Sequence, residues 1–130
     1  MTFLDSSVII DMLEGVDETV AFVESQDGPL LTSSICVYEV LEGALGSGTT
    51  DVATERQRFG GVRAIELTDD LAVEAGELQD ELMSDGVRFS ARDCLIAATA
   101  RSVGDHLVVA DSDFETRVLE SEIDVTNIRA

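Results

Sequence analysis

Four acidic residues from distant stretches of the chain have the types best suited to chemistry. They are Asp5, Glu39, Asp93 and Asp111. Carboxylates brought close together cannot all stay ionised without a cation between them. Hard oxygen ligands favour Mg²⁺ or Mn²⁺ over zinc. Such a site suits phosphodiester hydrolysis, because a bound metal polarises a phosphoryl oxygen and activates water.

Two of these acids directly follow short apolar runs that predict buried strands. Phe3-Leu4 precedes Asp5, and Leu107-Val108-Val109 lies just before Asp111. Ligands gather at the carboxyl ends of parallel strands, so both acids are expected at one edge of a sheet. Each acid could instead cap the helix that follows it. For Asp111 the capping role is also open to Ser112.

The other two acids lie on predicted helices. Glu39 falls within a helix predicted from Ser34 to Leu45, where it is either a ligand or a solvated surface acid. Asp93 opens an alanine-rich helix predicted over 91–103, on the same side as its apolar residues. A carboxylate on that side must be paired, hydrogen-bonded or bound to a metal. A first-turn acid favoured by the helix dipole is the alternative.

Strands and helices alternate along the chain. Strands are predicted at 2–4, 30–32, 62–67, 107–109 and 124–128, and helices at 7–13, 18–25, 34–45, 51–59, 69–84, 91–103 and 112–121. No linker or repeat divides them. The alternation predicts one domain over residues 1–130, an α/β protein built as a three-layer α/β/α sandwich around a central parallel sheet.

The basic residues exclude several classes of protein. All eight are arginine, so the chain has no lysine. A P-loop nucleotidase needs a lysine in its phosphate-binding loop. Receiver domains and haloacid-dehalogenase-like phosphatases are also α/β proteins with an Asp after the first strand, but they use a lysine in the site. Two separated cysteines and one histidine likewise disfavour zinc, and both cysteines are expected to be buried.

The net charge of −19 predicts a strongly hydrated acidic surface suited to a high-salt, halophilic cytoplasm. At molar salt the Debye length is about 3 Å, so self-repulsion of such a surface is largely screened. We therefore expect the protein to loosen or unfold in dilute buffer. Circular dichroism that is unchanged between molar and millimolar salt would exclude this interpretation.

The sequence contains no membrane-spanning pattern, since no run of about 18 apolar residues occurs. The N-terminus has no basic region and reaches Asp5 at once, unlike a signal peptide. We therefore expect a cytoplasmic protein that is intact from its first residue.

Four stretches together resemble the PIN-domain family, and more narrowly the VapC-type toxins of prokaryotic toxin–antitoxin pairs. Each stretch carries one acid, and the order along the chain is that of the family; they are Leu4–Asp11, Thr32–Gly43, Arg92–Ala100 and Leu107–Phe114. Each is weak alone, but the match covers essentially the whole chain. The resemblance implies a PIN-like parallel sheet flanked by helices, Mg²⁺ or Mn²⁺, and endonucleolytic cleavage of RNA.

The resemblance also implies partners and auxiliary residues. It implies a homodimer and a small antitoxin protein that blocks the acidic pocket with a basic side chain. Ser6 or Ser7 matches a small hydroxyl position that shapes the metal site. Val109 departs from the family, which often has Thr or Ser there, and Asp113 is a spare acid that could assist Asp111 or replace it.

The sequence thus predicts a Mg²⁺-dependent ribonuclease in which three aspartates hold the metal. Glu39 ligates directly, ligates through water, or orients the attacking water. RNA would contact the metal and arginines such as Arg88, Arg92 and Arg101, for each of which a surface ion pair is the alternative. Two other functions stay open: a PIN nuclease that matures RNA, and a catalytically silent PIN-like module that binds RNA.

Overall fold

The computed structural model describes residues 1–46, 48, 51–104, 106–112, 114 and 119–129. Within these ranges the strands are β1 (Thr2–Leu4), β2 (Leu30–Ser33), β3 (Val62–Ile65), β4 (His106–Val109) and β5 (Val125–Asn127). The helices are α1 (Ser6–Glu14), α2 (Asp17–Glu24), α3 (Ser34–Glu42), α4 (Val52–Gln57), α5 (Asp69–Ser84) and α6 (Ala91–Ser102). The helix predicted over 112–121 falls largely outside the described residues.

The five strands form one parallel sheet in the order β3-β2-β1-β4-β5. The first strand is central, because Phe3 pairs with Leu31 of β2 on one side and with Leu107 of β4 on the other. Parallel strands need crossover connections, and helices α1 to α6 supply those between β1 and β4. The predicted parallel α/β sheet is therefore confirmed.

Helices cover both faces of this sheet. Phe3 and Leu107 face a cluster that includes residues of α5 and α6, whereas Leu4 and Val108 face a cluster that includes residues of α1, α2 and α3. All four side chains are fully buried. Successive residues of a strand point to opposite faces of the sheet. Neighbouring residues therefore contribute to different cores, one on each face. The result is the predicted three-layer sandwich.

Helix boundaries differ from the sequence prediction at one point that bears on the site. The third helix was predicted to reach Leu45 but ends at Glu42, with Gly43 at its C-terminal cap. Glycine in this stretch weakens helix propagation by about 1 kcal/mol relative to alanine. Glu39 consequently lies in the last turn of α3. In the described ranges no helix is both long and apolar enough to cross a bilayer.

Candidate acidic site

Asp5 has two roles, which the sequence presented as alternatives. Its Oδ2 caps α1, accepting from the backbone N–H of Ser7 at 3.2 Å and from the Ser7 hydroxyl at 2.6 Å. Its Oδ1 accepts from Arg92 Nη2 at 2.8 Å. The residue is only 3% exposed. One carboxylate therefore both starts the helix and contributes an oxygen to the site.

Asp5, Glu39 and Asp93, hereafter the acidic cluster, converge on the guanidinium of Arg92. Arg92 Nε and Nη2 donate to the two oxygens of Glu39 at 2.8 and 2.7 Å, which is a bidentate pair. Arg92 Nη1 donates to Asp93 Oδ1 at 2.8 Å. Nη2 donates to both Asp5 Oδ1 and Glu39 Oε1. The distance between these two oxygens therefore cannot exceed the combined length of the two hydrogen bonds, 2.8 and 2.7 Å.

The cluster holds more negative than positive charge. Three carboxylates face one guanidinium, so a formal charge of −2 remains when all three are ionised. Burial raises the pKa of Glu39, but hydrogen bonds and charge from Arg92, with help from Ser6, outweigh it and hold that pKa below its ordinary value. Burial likewise lowers the pKa of Arg92, and the surrounding carboxylates more than reverse this effect. Both groups are therefore charged at neutral pH.

Capping residues fix the helices that carry these acids. The Ser33 hydroxyl accepts from the backbone N–H of Cys36 at the start of α3, and the Ser90 hydroxyl accepts from that of Asp93 at the start of α6. Such caps contribute about 1 kcal/mol each. The acids are consequently held by local structure as well as by Arg92.

The loop that leads into α6 is held by Gln79 of α5. Its side-chain amide donates to the carbonyl of Phe89 at 2.7 Å, and its carbonyl oxygen accepts from the N–H of Phe89 at 3.1 Å. Phe89 directly precedes the capping Ser90. Gln79 therefore positions Asp93 and Arg92 from a distance, a role that the sequence analysis did not find.

Ser6 and Ser7 connect the cluster to the neighbouring strand. The Ser6 hydroxyl accepts from Arg92 Nη2 at 2.9 Å. The Ser7 hydroxyl donates to Asp5 and accepts from the backbone N–H of Ala110 at 3.0 Å. Both hydroxyls thus lie where an auxiliary role was expected, and Ser7 links the end of β1 to the end of β4.

Asp111, the fourth predicted acid, lies next to Ala110 at this edge, and it is exposed. Its backbone is held on both sides, because Asn127 Nδ2 donates to its carbonyl at 2.7 Å and Arg129 Nη1 donates to the carbonyl of Ala110 at 2.8 Å. The structure thus brings three of the four acids onto one guanidinium and places the fourth at the adjoining strand end. Asp113 lies outside the described residues.

The cysteines are both buried, as expected, and one of them borders the cluster. Cys36 Sγ lies 3.9 Å from Asp5 Oδ1. Burial, and then the charge of Asp5, raises the pKa of this thiol above its ordinary value. Cys36 is therefore a neutral weak donor beside the carboxylates, and the charged acceptor atoms around Arg92 are carboxylate oxygens.

The arginines proposed for RNA contact have different surroundings. Arg101 forms ion pairs with Glu81 and Glu122, at 3.5 and 3.3 Å. Arg88 is exposed on the loop before α6. Arg92 is the centre of the acidic cluster, which sequence reasoning missed. One signal could have revealed it: Arg92 is the only basic residue in the four acid-bearing stretches.

The donor set of the site suits a hard divalent cation. As the side chains stand, the described part of the chain has no group of three or more His, Cys, Asp or Glu residues arranged to hold a metal ion. The carboxylates nevertheless converge, and the point on which they converge is filled by a cation, the guanidinium of Arg92. Oxygen ligands with excess negative charge are those that Mg²⁺ and Mn²⁺ prefer.

Comparisons with known proteins agree with this fold. Residues 2–117 match the family described as PIN domain. The fold is similar to a toxin-antitoxin complex from Klebsiella pneumoniae, with 20% identity, a TM-score of 0.78 and coverage of 98% of each chain. It is also similar to VapBC-5 of Mycobacterium tuberculosis, a member of the VapBC family of toxin-antitoxin systems; identity is 27%, the TM-score 0.68, and coverage 99% of this chain and 98% of that one.

A third similar structure is VapC20 of Mycobacterium tuberculosis, a Sarcin-Ricin loop cleaving toxin. It is 21% identical, with a TM-score of 0.65 and coverage of 90% of this chain and 95% of that one. A comparison with curated proteins gave no match. The likeness therefore extends over nearly the full length of each neighbour, at low sequence identity.

Proposed function

The chain belongs to the PIN domain family, and on that premise we propose that it is a Mg²⁺- or Mn²⁺-dependent endoribonuclease that acts as the toxin of a toxin–antitoxin pair. The observation that carries the proposal is the convergence of Asp5, Glu39 and Asp93 on a single cationic point at the carboxyl edge of the sheet. Ligands of open α/β sheets bind at this edge.

Each acid has a proposed role in phosphodiester hydrolysis. Asp5, Asp93 and Asp111 hold the metal, which when bound supplies Lewis-acid stabilisation of the phosphate and lowers the pKa of water. Glu39 ligates directly or through water, or it accepts a proton from the attacking water. The Ser7 hydroxyl keeps Asp5 oriented through its 2.6 Å hydrogen bond.

We propose that the partners are RNA, a small antitoxin and a second copy of the chain. The structural neighbours include a toxin-antitoxin complex and a Sarcin-Ricin loop cleaving toxin, which supports the first two. The excess negative charge of the acidic cluster suits a basic side chain of an antitoxin. We place the protein in a cytoplasm rich in salt, where its charge of −19 hinders RNA binding least.

Two measurements test this function. Purified protein should cut RNA internally with Mg²⁺ or Mn²⁺ and stop when EDTA is added. Expression in cells should arrest growth, and co-expression of a small protein encoded beside it should restore growth. Cleavage without growth arrest would favour RNA maturation, and RNA binding without cleavage or metal binding would favour a silent module.

A further inference from the structure

Arg92 occupies the position that a cation held by the acidic cluster would occupy. Its Nη2 lies 2.8 Å from Asp5 Oδ1 and 2.7 Å from Glu39 Oε1. An ion that ligated these oxygens from the side that the guanidinium occupies, at the Mg²⁺ distance of about 2.0–2.1 Å, would overlap Nη2 and be repelled by its charge. The guanidinium and a divalent cation therefore compete for this side of the carboxylates.

We propose that Arg92 is a displaceable counterion of the acidic cluster: it must leave the carboxylates before a divalent cation binds, and it thereby sets the affinity of the site for metal. This inference rests on the proposed metal-dependent function. It makes Arg92 a residue that regulates metal loading, in addition to the four acids that ligate or activate.

The charge balance favours such an exchange. With Arg92 in place the three carboxylates retain a formal charge of −2, so the guanidinium satisfies their hydrogen bonds but not their charge. A divalent cation in its place leaves −1. Carboxylates this close together repel one another. A divalent cation carries twice the charge of the guanidinium and so reduces that repulsion more.

Arg92 also has a route out of the site. Its side chain is 31% exposed and lies in the first turn of α6, so it can turn towards solvent while the helix stays formed. Asp5, by contrast, is 4% exposed and is fixed by the hydrogen bonds that cap α1. Asp5 is thus fixed independently of Arg92, whereas Glu39 and Asp93, at 31% and 30% exposed, are held by their places on α3 and α6.

Competition of this kind has a measurable consequence. If metal binds only when Arg92 is turned away, the apparent affinity is reduced by the fraction of molecules in that state. Removing Arg92 removes this reduction. We expect Arg92→Gln to bind Mn²⁺ about tenfold more tightly than the wild type, within the usual range of such coupling.

Calorimetric titration of the full chain with Mn²⁺ tests this expectation. Arg88→Gln is the matched control, because it removes the same charge four residues away from an exposed position. Its affinity should stay within about twofold of the wild type, since a charge exposed to solvent is screened. Equal or weaker binding by Arg92→Gln would overturn the inference.

Loss of Arg92 leaves three carboxylates without a counter-charge, so Arg92→Gln needs a companion variant that retains the charge. Arg92→Lys keeps the cation but not the bidentate geometry with Glu39. We expect its Mn²⁺ affinity to lie between those of the wild type and Arg92→Gln. In EDTA, Arg92→Gln should melt at a lower temperature than the wild type, and Mn²⁺ should restore its melting temperature.

Displacement can be observed directly in the wild type. The Nε–H of Arg92 donates to Glu39 at 2.8 Å and should exchange slowly with water in the metal-free protein. The ¹⁵Nε resonance of Arg92 can be assigned because it is absent from the spectrum of Arg92→Gln. When Mg²⁺ is added, the Nε proton should lose its protection from exchange with water. Metal binding that leaves the resonance and its protection unchanged would overturn the inference while the proposed function stands. Absence of Mn²⁺ binding in every variant would overturn both.

Discussion

Among the residues that the structure describes, Arg92 and Arg129 both bind buried carboxylates, and the two sites differ in charge balance. Arg129 donates to Asp11 at 2.6 Å, and Thr19 donates to the same oxygen at 2.8 Å. We call Asp11 and Arg129 the Asp11 pair, to which Thr19 adds a hydrogen bond. It joins the last described residue to α1 with one positive and one negative charge. Arg92, in contrast, faces the three carboxylates of the acidic cluster.

The difference distinguishes a structural ion pair, in which the charges balance, from a site in which negative charge exceeds positive charge. In the Asp11 pair the carboxylate is 7% exposed, and its one charge is matched by one guanidinium. In the acidic cluster the guanidinium leaves two negative charges unmatched. Burying like charges together is unfavourable unless a cation joins them. Charge balance, rather than the presence of a buried acid, therefore marks the candidate site.

The largest expected effect is on cleavage by variants of the acidic cluster. Asp5→Asn and Asp93→Asn should each reduce RNA cleavage by about a hundredfold or more, because each removes a proposed metal ligand. Asparagine still caps a helix well, so Asp5→Asn should keep α1 intact. Cleavage assays under single-turnover conditions, with circular dichroism to check folding, measure both quantities.

Asp11→Asn is the matched control for that experiment, since it alters a buried aspartate six residues after Asp5 on the same helix. Its cleavage rate should stay within about twofold of the wild type once folded protein is counted, because Asp11 is paired outside the cluster. Similar loss of activity in Asp5→Asn and Asp11→Asn would remove the distinction between the two regions.

The next effect is on stability and concerns the two halves of the Asp11 pair. In Arg129→Gln the buried carboxylate of Asp11 loses its guanidinium partner and keeps the hydrogen bond from the Thr19 hydroxyl. The free energy of unfolding should fall by about 2–3 kcal/mol. Asp11→Asn leaves a guanidinium that is 43% exposed and can be solvated, so it should cost only about 1 kcal/mol. Urea unfolding midpoints measure this asymmetry, and equal losses would contradict it.

A smaller effect is expected where Gln79 supports the acidic cluster from outside. Gln79→Ala removes both hydrogen bonds to Phe89 and should cost about 1–2 kcal/mol. Because Phe89 precedes the cap of α6, cleavage should also fall several-fold through displacement of Asp93. Normal cleavage in a destabilised Gln79→Ala protein would limit the role of this residue to folding.

The smallest effect is expected at Glu42, the exposed acid that follows Glu39 by three residues. Glu42→Gln should change the rate of cleavage by no more than about twofold. It should change the free energy of unfolding by no more than about 0.5 kcal/mol, as is usual for exposed sites. Glu39→Gln, measured beside it, should lose cleavage strongly. A comparable loss in both would show that the net charge of α3, rather than the position of Glu39, matters.

Much of the fold could be predicted from local pattern. The apolar runs around Phe3 and Leu107, and the helical stripe with Leu71, Ala75 and Leu78, identify their elements because burial imposes periods of 2 and 3.6 residues. The end of α3 was placed three residues late, because both Gly43 and Gly46 can end a helix and the prediction used the second. Strand order was not predicted, since it depends on contacts between distant segments.

Part of the candidate site could likewise be predicted from the sequence, and part could not. The sequence by itself identified four acids, their hard oxygen chemistry and their expected edge of the sheet, because residue type and the rule for strand ends are local properties. Only the tertiary structure decided that Arg92 joins Asp5, Glu39 and Asp93, and that Arg129 pairs with Asp11. Apart from Asp93, which adjoins Arg92, these partners lie 53 to 118 residues apart; they are brought together by packing, and the pattern of neighbouring residues does not encode that choice.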